Sequence, residues 1–275
     1  MLVDTHCHLD ASEFDHDRDA VVARAVAAGV TGIVIPAICR ANFHSVRTLA
    51  HSAPGLAYAL GIHPLCAGTA QESDLDELDT LLTQGRDDPK LVAIGEIGLD
   101  HFVPSANTPA LRERQAYFYR RQLELAQRHD LPVLLHVRRS QDELLKQLRR
   151  HPRVHGIAHA FNGSFQQAQQ FLSLGFVLGI GGAMTFARAL QIRRLASSLP
   201  ASALVLETDA PDIPPAWLGR LPNGEKSAAR NEPAEVAGVA RTLAQLRQVP
   251  PEAVAQQCSD NAFRVLPRLA RALAS

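Results

Sequence analysis

Eight short apolar runs, separated by amphipathic stretches, constrain the fold of this chain more than any other feature of its sequence. Each run is rich in Val, Ile and Leu and is too short to be a buried helix. Such runs are typical of parallel strands that are buried on both faces. They occupy residues 2–8, 32–38, 56–63, 91–99, 132–137, 155–161, 176–182 and 204–208.

Helical patterns lie between these runs, most clearly at residues 19–28, 108–129, 141–150, 165–174 and 186–198. The alternation predicts an α/β fold, a (β/α)8 TIM barrel, whose usual length is about 250 residues. We expect residues 1–275 to form this single domain, with residues 234–275 as helices that close its outer ring. An open doubly wound sheet is the alternative fold. No GxGxxG follows a strand, so a dinucleotide site has no support.

The composition limits the classes of partner. Lys+Arg and Asp+Glu both total 28, so the formal net charge is zero. This balance excludes a broadly basic protein that holds long duplex DNA by charge alone.

The four cysteines form no CxxC pair and are expected to be free thiols. Without a signal-like N-terminus or an apolar run of roughly 18 residues, we expect a cytoplasmic protein with no membrane contact. No obligate protein partner is indicated.

Two histidines, spaced two residues apart, lie at the end of the first predicted strand. Because side chains alternate along a strand, His6 and His8 are expected to share one face, while Cys7 points the other way. Two imidazoles on one face at the end of a strand can hold a divalent metal ion. The motif is short, and packed or exposed histidines explain it equally well when it is taken alone.

Repetition of this signal strengthens the metal hypothesis. Metal-ligand residues stand near the carboxyl ends of other predicted strands, namely Glu96, His136, His159 and Asp209. In a barrel these ends converge on the active-site face. Each residue alone is explained by a helix cap, a salt bridge or a core hydrogen bond. Six such residues on five strands make a joint structural explanation improbable.

The number of ligands predicts two metal ions with a bridging carboxylate, since four imidazoles and two carboxylates exceed one tetrahedral site. The central strand position makes Glu96 the expected bridge. We assign the first ion to His6, His8, Glu96 and Asp209, and the second to Glu96, His136 and His159. Histidine ligands favour Zn²⁺ or Mn²⁺, whereas carboxylates and a phosphate substrate also admit Mg²⁺.

Five segments resemble the signatures of the TatD-related deoxyribonucleases. They are VDTHCHLD at 3–10, GEIGLD at 95–100, PVLLHVR at 132–138, LETDAP at 206–211 and RNEP at 230–233. The resemblance implies a TIM barrel, a pair of divalent metal ions and hydrolysis of phosphodiester bonds in DNA, often from the 3′ end. The family's metal ligands fall on the same six residues.

The predicted chemistry is attack by a metal-bound hydroxide on phosphorus, with two ions about 4 Å apart holding the nucleophile and the phosphoryl oxygens. Asp209 and Glu96 are the expected catalytic residues. Asp209 would act both as ligand and as general base, and Glu96 as the bridge. With no net charge, the protein is expected to hold DNA ends or short single-stranded nucleic acid.

Further residues are expected to support this chemistry. Arg138 shares the strand face of His136 and could grip a phosphate, although a surface pair with Asp142 explains it equally well. His63 ends the third strand and faces the same mouth. The remaining candidates are Arg230 for phosphate contact and Asp4, Asp100 and Glu207 for orienting ligand imidazoles. In the long loop, Trp217 either stacks on a base or folds over the barrel mouth. Arg220 and Lys226 are expected to be solvated.

Two other functions remain open from the sequence. A similar dinuclear site in an amidohydrolase-like barrel could hydrolyse a small cyclic amide, lactone or phosphoester. A non-catalytic metal-binding protein is the second alternative, although the complete ligand set argues against it.

Overall fold

Eight parallel strands form the core of the protein, whose computed structural model describes residues 1–219 and 229–274. Neighbouring strands in the sheet are consecutive in the chain, from β1 to β8. The strands are β1 (Leu2–Asp4), β2 (Val30–Pro36), β3 (Leu56–Leu60), β4 (Leu91–Asp100), β5 (Val133–Arg138), β6 (Gly156–His159), β7 (Phe176–Ile180) and β8 (Leu204–Leu206).

The barrel closes between its first and last strands. Thr5 donates its backbone N–H to the carbonyl of Leu206 over 3.0 Å, and Asp209 donates to the carbonyl of His6 over 2.9 Å. Sequential strand order with closure is the (β/α)8 arrangement, so the predicted TIM barrel is confirmed and the open doubly wound sheet is wrong.

Helices separate consecutive strands and surround the sheet. They are α1 (Arg18–Ala27), α2 (Phe43–Ser52), α3 (Glu72–Gln84), α4 (Pro109–His129), α5 (Gln141–Leu148), α6 (Phe165–Ser173), α7 (Leu190–Ser198), α8 (Ala216–Gly219), α9 (Val236–Arg247), α10 (Pro251–Val265) and α11 (Leu269–Ala274). The sequence patterns do not single out α2 and α3, although each buries three apolar side chains on one face. Among the described residues no helix has the length and apolar character needed to cross a bilayer.

The inside of the barrel is filled by an apolar layer to which every strand contributes. This layer includes Val3, Val34, Val92, Leu134, Ile157, Val177 and Val205, and it packs against α10 and α11. Branched aliphatic side chains fill the interior of such barrels and leave no pore.

The two C-terminal helices lie at the end of the barrel where the strands begin. The Ser259 hydroxyl of α10 donates to the carbonyl of Met1, and Asn261 donates to the carbonyl of Leu204. A Cβ atom at Gly32 of β2 would lie 2.4 Å from Leu273 of α11, so the glycine permits this close approach. We call α10, α11 and the apolar layer the barrel floor. These helices therefore cover one end, whereas the sequence predicts only a place in the outer ring.

Candidate metal centre

The opposite end of the barrel holds a cavity of about 920 Å³, into which the carboxyl ends of the strands open. Its lining includes five of the six predicted metal ligands: His8, Glu96, His136, His159 and Asp209. The sixth, His6, is buried beneath them. Catalytic residues of TIM barrels lie at this face because the loops that follow the strands meet there.

His6 and His8 lie beyond the end of β1, which stops at Asp4, so the prediction that they belong to the first strand is wrong. The chain leaves the regular ladder because its backbone bonds divide between two neighbours. Cys7 donates to the carbonyl of Val34 in β2, and His8 donates to that of Ala210 beyond β8. The side chains of residues 6 to 8 nevertheless alternate in direction as predicted. The imidazoles of His6 and His8 both approach Asp209, while the Cys7 thiol is buried.

Glu96 lies at the centre of the site, with each carboxylate oxygen facing a different set of imidazoles. Its Oε2 atom is 3.1 Å from Nε2 of His6 and 3.6 Å from Nε2 of His8. Its Oε1 atom is 2.8 Å from Nδ1 of His136 and 3.6 Å from Nε2 of His63. This is the arrangement that a carboxylate needs to bridge two cations.

The position of Glu96 follows from an irregularity in β4. Pairing between β4 and β5 changes register between Ile94 and Ile97, the stretch that contains Glu96. A bulge changes the direction of a side chain relative to a regular strand. The sequence predicts Glu96 near the end of the strand, whereas β4 continues to Asp100.

Asp209 completes the side of the site near β1. Its Oδ1 atom lies 3.7 Å from Nε2 of His6, 3.6 Å from Nε2 of His8 and 3.5 Å from Nε2 of His159. The residue follows β8 by three positions and has a φ of 55°, in the left-handed region. A short polar residue such as Asp tolerates this conformation better than most non-glycine residues.

His159 joins the two halves of the site. It pairs in register with His136 across β5 and β6, and its ring stacks on that of His6 with centroids 3.7 Å apart. Its ligand atom lies within 4.8 Å of those of His6 and Glu96. The sequence groups His159 with Glu96 and His136, whereas in the structure its ligand atom forms a group with those of His6 and Glu96.

His63 belongs to this cluster, although the sequence suggests only a substrate or supporting role for it. Its Nε2 atom is 3.0 Å from Nδ1 of His136, and both lie within ligand range of Glu96. Its place directly after β3 is the same signal that identified the other ligands.

The carboxylates of the site stay ionised. Burial raises the pKa of Glu96, but its electrostatic interactions with His6 and His63 and its hydrogen bonds from His136 and His6 outweigh this effect and hold the pKa well below its usual range. Burial acts on Asp209 in the same direction, and the charge of His159 outweighs it, lowering the pKa to about 2.

Burial and charge act in opposite directions on the histidines. Burial lowers the pKa of His63 to about 3, so its imidazole is neutral. The pKa of His159 lies well above its usual value because Glu207 and Asp209 outweigh the burial that lowers it. The site therefore offers ionised carboxylate oxygens and imidazole nitrogens. An imidazole nitrogen that carries a proton must lose it before it can bind a cation.

The donor set fits divalent metal ions. Imidazole nitrogens and carboxylate oxygens converge within 4.8 Å in three overlapping groups. These are His6–His8–Asp209, His6–Glu96–His159 and His63–Glu96–His136. Such donors suit Zn²⁺ and Mn²⁺, and the carboxylates also accept Mg²⁺.

Two carboxylates hold ligand imidazoles from outside the site. Asp100 places Oδ2 3.0 Å from Nε2 of His136, which leaves Nδ1 facing Glu96. Glu207 places Oε1 3.1 Å from Nδ1 of His159, which leaves Nε2 facing Asp209. Carboxylates in these positions fix the ring orientation and raise its basicity.

Asp4, which the sequence suggests as a partner of a ligand imidazole, forms hydrogen bonds with backbone groups and a hydroxyl instead. Its Oδ1 atom accepts from the backbone N–H of His6 over 3.3 Å and of Thr208 over 2.9 Å. Its Oδ2 atom accepts from the Thr208 hydroxyl over 2.5 Å. Asp4 thus joins the two segments that carry His6 and Asp209, and the structure gives it no contact with an imidazole ring among the described residues.

Gly179 of β7 makes room for Glu207. A Cβ atom there would lie 2.1 Å from Glu207 Oε2, and the Glu207 carboxylate is buried and bonded to the backbone N–H of Ala160 over 2.6 Å. We expect Gly179→Ala to destabilise the protein by about 1–3 kcal/mol, as overpacking does, and to weaken metal binding. Urea unfolding and metal titration measure both effects. Gly68→Ala, which meets only the end of Leu111 at 3.1 Å, is the control. Equal losses in the two variants would contradict this account.

Arg138 lies on the rim of the cavity, half exposed. Its Nη1 atom is 3.9 Å from Asp100, and its guanidinium stacks over Phe102 at 4.0 Å from the ring centroid. The suggested pair with Asp142 is absent, because Asp142 instead accepts from Gln167.

The structure does not bring Arg230 to the cavity. Its guanidinium bonds to Asp17 and Glu232 over 2.8 and 2.9 Å and lies over the Phe14 ring.

Trp217 donates to Glu235 over 2.6 Å and covers Gly238, so it is folded onto α9 instead of facing the cavity. Arg220 and Lys226 fall outside the described residues.

Comparison with known proteins agrees with this geometry. The family model for TatD related DNase matches residues 3–267. The chain is 41% identical over 264 residues to the uncharacterized metal-dependent hydrolase YjjV of Escherichia coli, covering 95% of this chain and 96% of that protein. It is 34% identical to the 3'-5' ssDNA/RNA exonuclease TatD of Erwinia billingiae, covering 96% and 98%.

The fold comparison gives the same result. The crystal structure of YjjV superposes with a TM-score of 0.87 at 39% identity and covers 97% of this chain and 98% of that one. With the family model and the relatives agreeing along nearly the whole sequence, the chain belongs to the TatD family and is a metal-dependent hydrolase.

Proposed function

We propose that this protein hydrolyses phosphodiester bonds at the ends of DNA or in short single-stranded nucleic acid, using two divalent metal ions. One observation carries the proposal: the two oxygens of Glu96 face separate groups of imidazoles. A pair of cations bridged in this way is suited to in-line displacement at phosphorus. A relative at 34% identity, named a 3'-5' ssDNA/RNA exonuclease, supports the same substrate class.

The residues divide between the ions as follows. His6, His8, Asp209 and Oε2 of Glu96 would hold the first. Oε1 of Glu96, His136 and His63 would hold the second. His159, whose ligand atom lies within range of His6 and Glu96 and whose Nε2 faces Asp209, would lie between the two. Bound divalent ions stabilise charge on the phosphoryl oxygens and lower the pKa of water.

Residues of the chain supply the remaining steps. Asp209 accepts a proton from the attacking water, because its pKa of about 2 keeps its carboxylate ionised at neutral pH. Asp100 holds His136 in the tautomer that leaves Nδ1 free for a ligand bond. Arg138 binds a non-bridging phosphate oxygen from the rim of the cavity.

A substrate and metal screen tests the proposal. The purified protein is stripped with chelator, its metal content is measured, and Mg²⁺, Mn²⁺ or Zn²⁺ is restored separately. We expect metal-dependent release of nucleotides from single-stranded oligonucleotides and a stoichiometry of two ions per chain. Lactones, cyclic amides and phosphotriesters form the comparison set. Turnover of one of these without oligonucleotide cleavage would favour the amidohydrolase-like alternative and overturn the proposal.

A further inference from the structure

Three large apolar side chains stand exposed on one side of the cavity mouth. Ile38 is 36% exposed, Leu65 is 43% exposed and Phe102 is 42% exposed, and all three line the cavity. They lie in the loops that follow β2, β3 and β4. We call Ile38, Leu65 and Phe102 the apolar rim. Exposed apolar side chains grouped at a cavity mouth mark a binding surface more often than chance exposure does.

Two guanidinium groups stack on the aromatic member of this rim. Arg138 lies 4.0 Å and Arg139 lies 4.7 Å from the centroid of the Phe102 ring. Phenyl and guanidinium planes both stack on nucleobases, and guanidinium also binds phosphate. We call Phe102, Arg138 and Arg139 the Phe102 cluster. It offers the two kinds of contact that a nucleotide requires.

The cluster is fixed to the metal site by backbone and side-chain bonds. The N–H of Phe102 donates to Oδ1 of Asp100 over 2.8 Å, while the other oxygen of Asp100 holds His136. His101 donates its N–H to the carbonyl of Arg138 over 2.9 Å. Arg139 has a φ of 56°, a conformation that a long side chain adopts only when its surroundings enforce it.

The other side of the mouth is acidic. Asp10, Glu13 and Asp212 line the cavity in the loops after β1 and β8. A phosphodiester chain is repelled from this side and attracted to the side with Arg138 and Arg139. The charge distribution therefore favours a bound strand that runs from the metal site towards Arg138 and Arg139.

We propose that the apolar rim and the Phe102 cluster form a binding site for the nucleobase and phosphate next to the bond that is cleaved. The nucleobase stacks on the Phe102 cluster beside Leu65 and Ile38, and Arg139 contacts the following phosphate. The strand then leaves across the loops after β4 and β5. This inference rests on the proposed nuclease function and adds the specificity site for it.

A double-mutant cycle between protein and substrate tests the stacking contact. KM is measured for Phe102→Ala, Phe102→Leu and wild type with Mn²⁺-loaded protein. One oligonucleotide is intact, and two others carry two abasic nucleotides at either the 5′ or the 3′ end. We expect Phe102→Ala to raise KM for the intact strand by about tenfold, in the range found for lost base stacking. With the abasic strand that removes the stacked base, the variant and wild type should differ by less than about twofold.

Phe165→Ala is the matched control, because Phe165 is 39% exposed and does not line the cavity. We expect its KM to equal that of wild type on every strand. Phe102→Leu keeps apolar volume and should show an intermediate KM, and thermal unfolding confirms that both variants fold. If Phe102→Ala raises KM equally for intact and abasic strands, or does not raise it, the stacking site is wrong.

The salt dependence of KM tests the phosphate contact separately. Each phosphate contact to a single strand contributes about 0.7 to the slope of log affinity against log salt. We expect Arg139→Gln to reduce the slope by about this amount, and Arg120→Gln on α4 to leave it unchanged. An unchanged slope in Arg139→Gln would refute the phosphate contact. If wild type cleaves no oligonucleotide with any metal, the nuclease function itself fails, an outcome distinct from an active wild type with unaffected variants.

Discussion

Replacement of Glu96 with alanine is expected to lower kcat/KM for a single-stranded oligonucleotide by at least about a thousandfold, or about 4 kcal/mol in transition-state stabilisation. The carboxylate faces both imidazole groups, at 3.1 Å from His6 and 2.8 Å from His136. Its loss removes one ligand from each proposed ion and leaves the imidazoles without the charge that holds the two cations together. Steady-state kinetics and metal analysis of the reloaded variant measure both effects.

Glu124→Ala is the control for this experiment, since Glu124 is an exposed glutamate on α4 whose side chain pairs with Arg121 over 3.3 Å. We expect its kinetics and metal content to match wild type. Circular dichroism and urea unfolding establish that the Glu96 variant remains folded. Full activity together with two bound ions in Glu96→Ala would show that this carboxylate is not the bridge.

Asp209→Asn is expected to lower kcat by about a hundredfold to ten-thousandfold, the usual contribution of a general base. The amide keeps the shape of the side chain but cannot accept the proton from water. In wild type, the charge of His159 outweighs burial and lowers the pKa of Asp209 to about 2, so the base stays ionised from mildly acidic to alkaline pH. The deficit of the variant should therefore be constant across this range.

The metal content separates the two roles assigned to Asp209. If the variant binds both ions yet loses kcat, the carboxylate acts as a base. If it loses one ion and regains activity at high metal concentration, it acts only as a ligand, and the proposed proton transfer is wrong. Asp142→Asn on α5 is the control, because this exposed carboxylate bonds to Gln167 away from the ligands. We expect it to behave as wild type.

The fold could be predicted from the sequence because its main determinant is local. Runs such as residues 32–38 are apolar without alternation, as expected of a strand that is buried on both faces. The boundaries were less predictable. β1 ends at Asp4 because the following residues divide their backbone bonds between two strands, a feature that depends on closure of the barrel.

The candidate ligands could also be predicted, since position at the end of a strand is visible in sequence and the barrel brings such ends together. The contacts among the ligands could not. His159 stacks on His6 from the opposite side of the barrel, at a distance set by the shape of the closed sheet. His63 reaches His136 for the same reason.

Roles that depend on the partners of a side chain were the least predictable. Arg230 belongs to a family-like motif, yet Asp17, more than 200 positions earlier in the chain, pairs with its guanidinium. Phe102 has no sequence pattern that distinguishes it from a core phenylalanine. Its exposure and its two arginine neighbours appear only when β4 and β5 are side by side.

The barrel floor has a consequence for turnover. Because α10 and α11 cover the end where the strands begin, residues 1–219 and 229–274 leave the interior no second exit beneath the ligands. Whatever enters the mouth must also leave by it, so under the proposed nuclease function a released nucleotide and the next strand would compete for one passage. Departure of the product would then be coupled to arrival of substrate, and under the proposed function repeated trimming of one strand would require that strand to slide or withdraw after each cut.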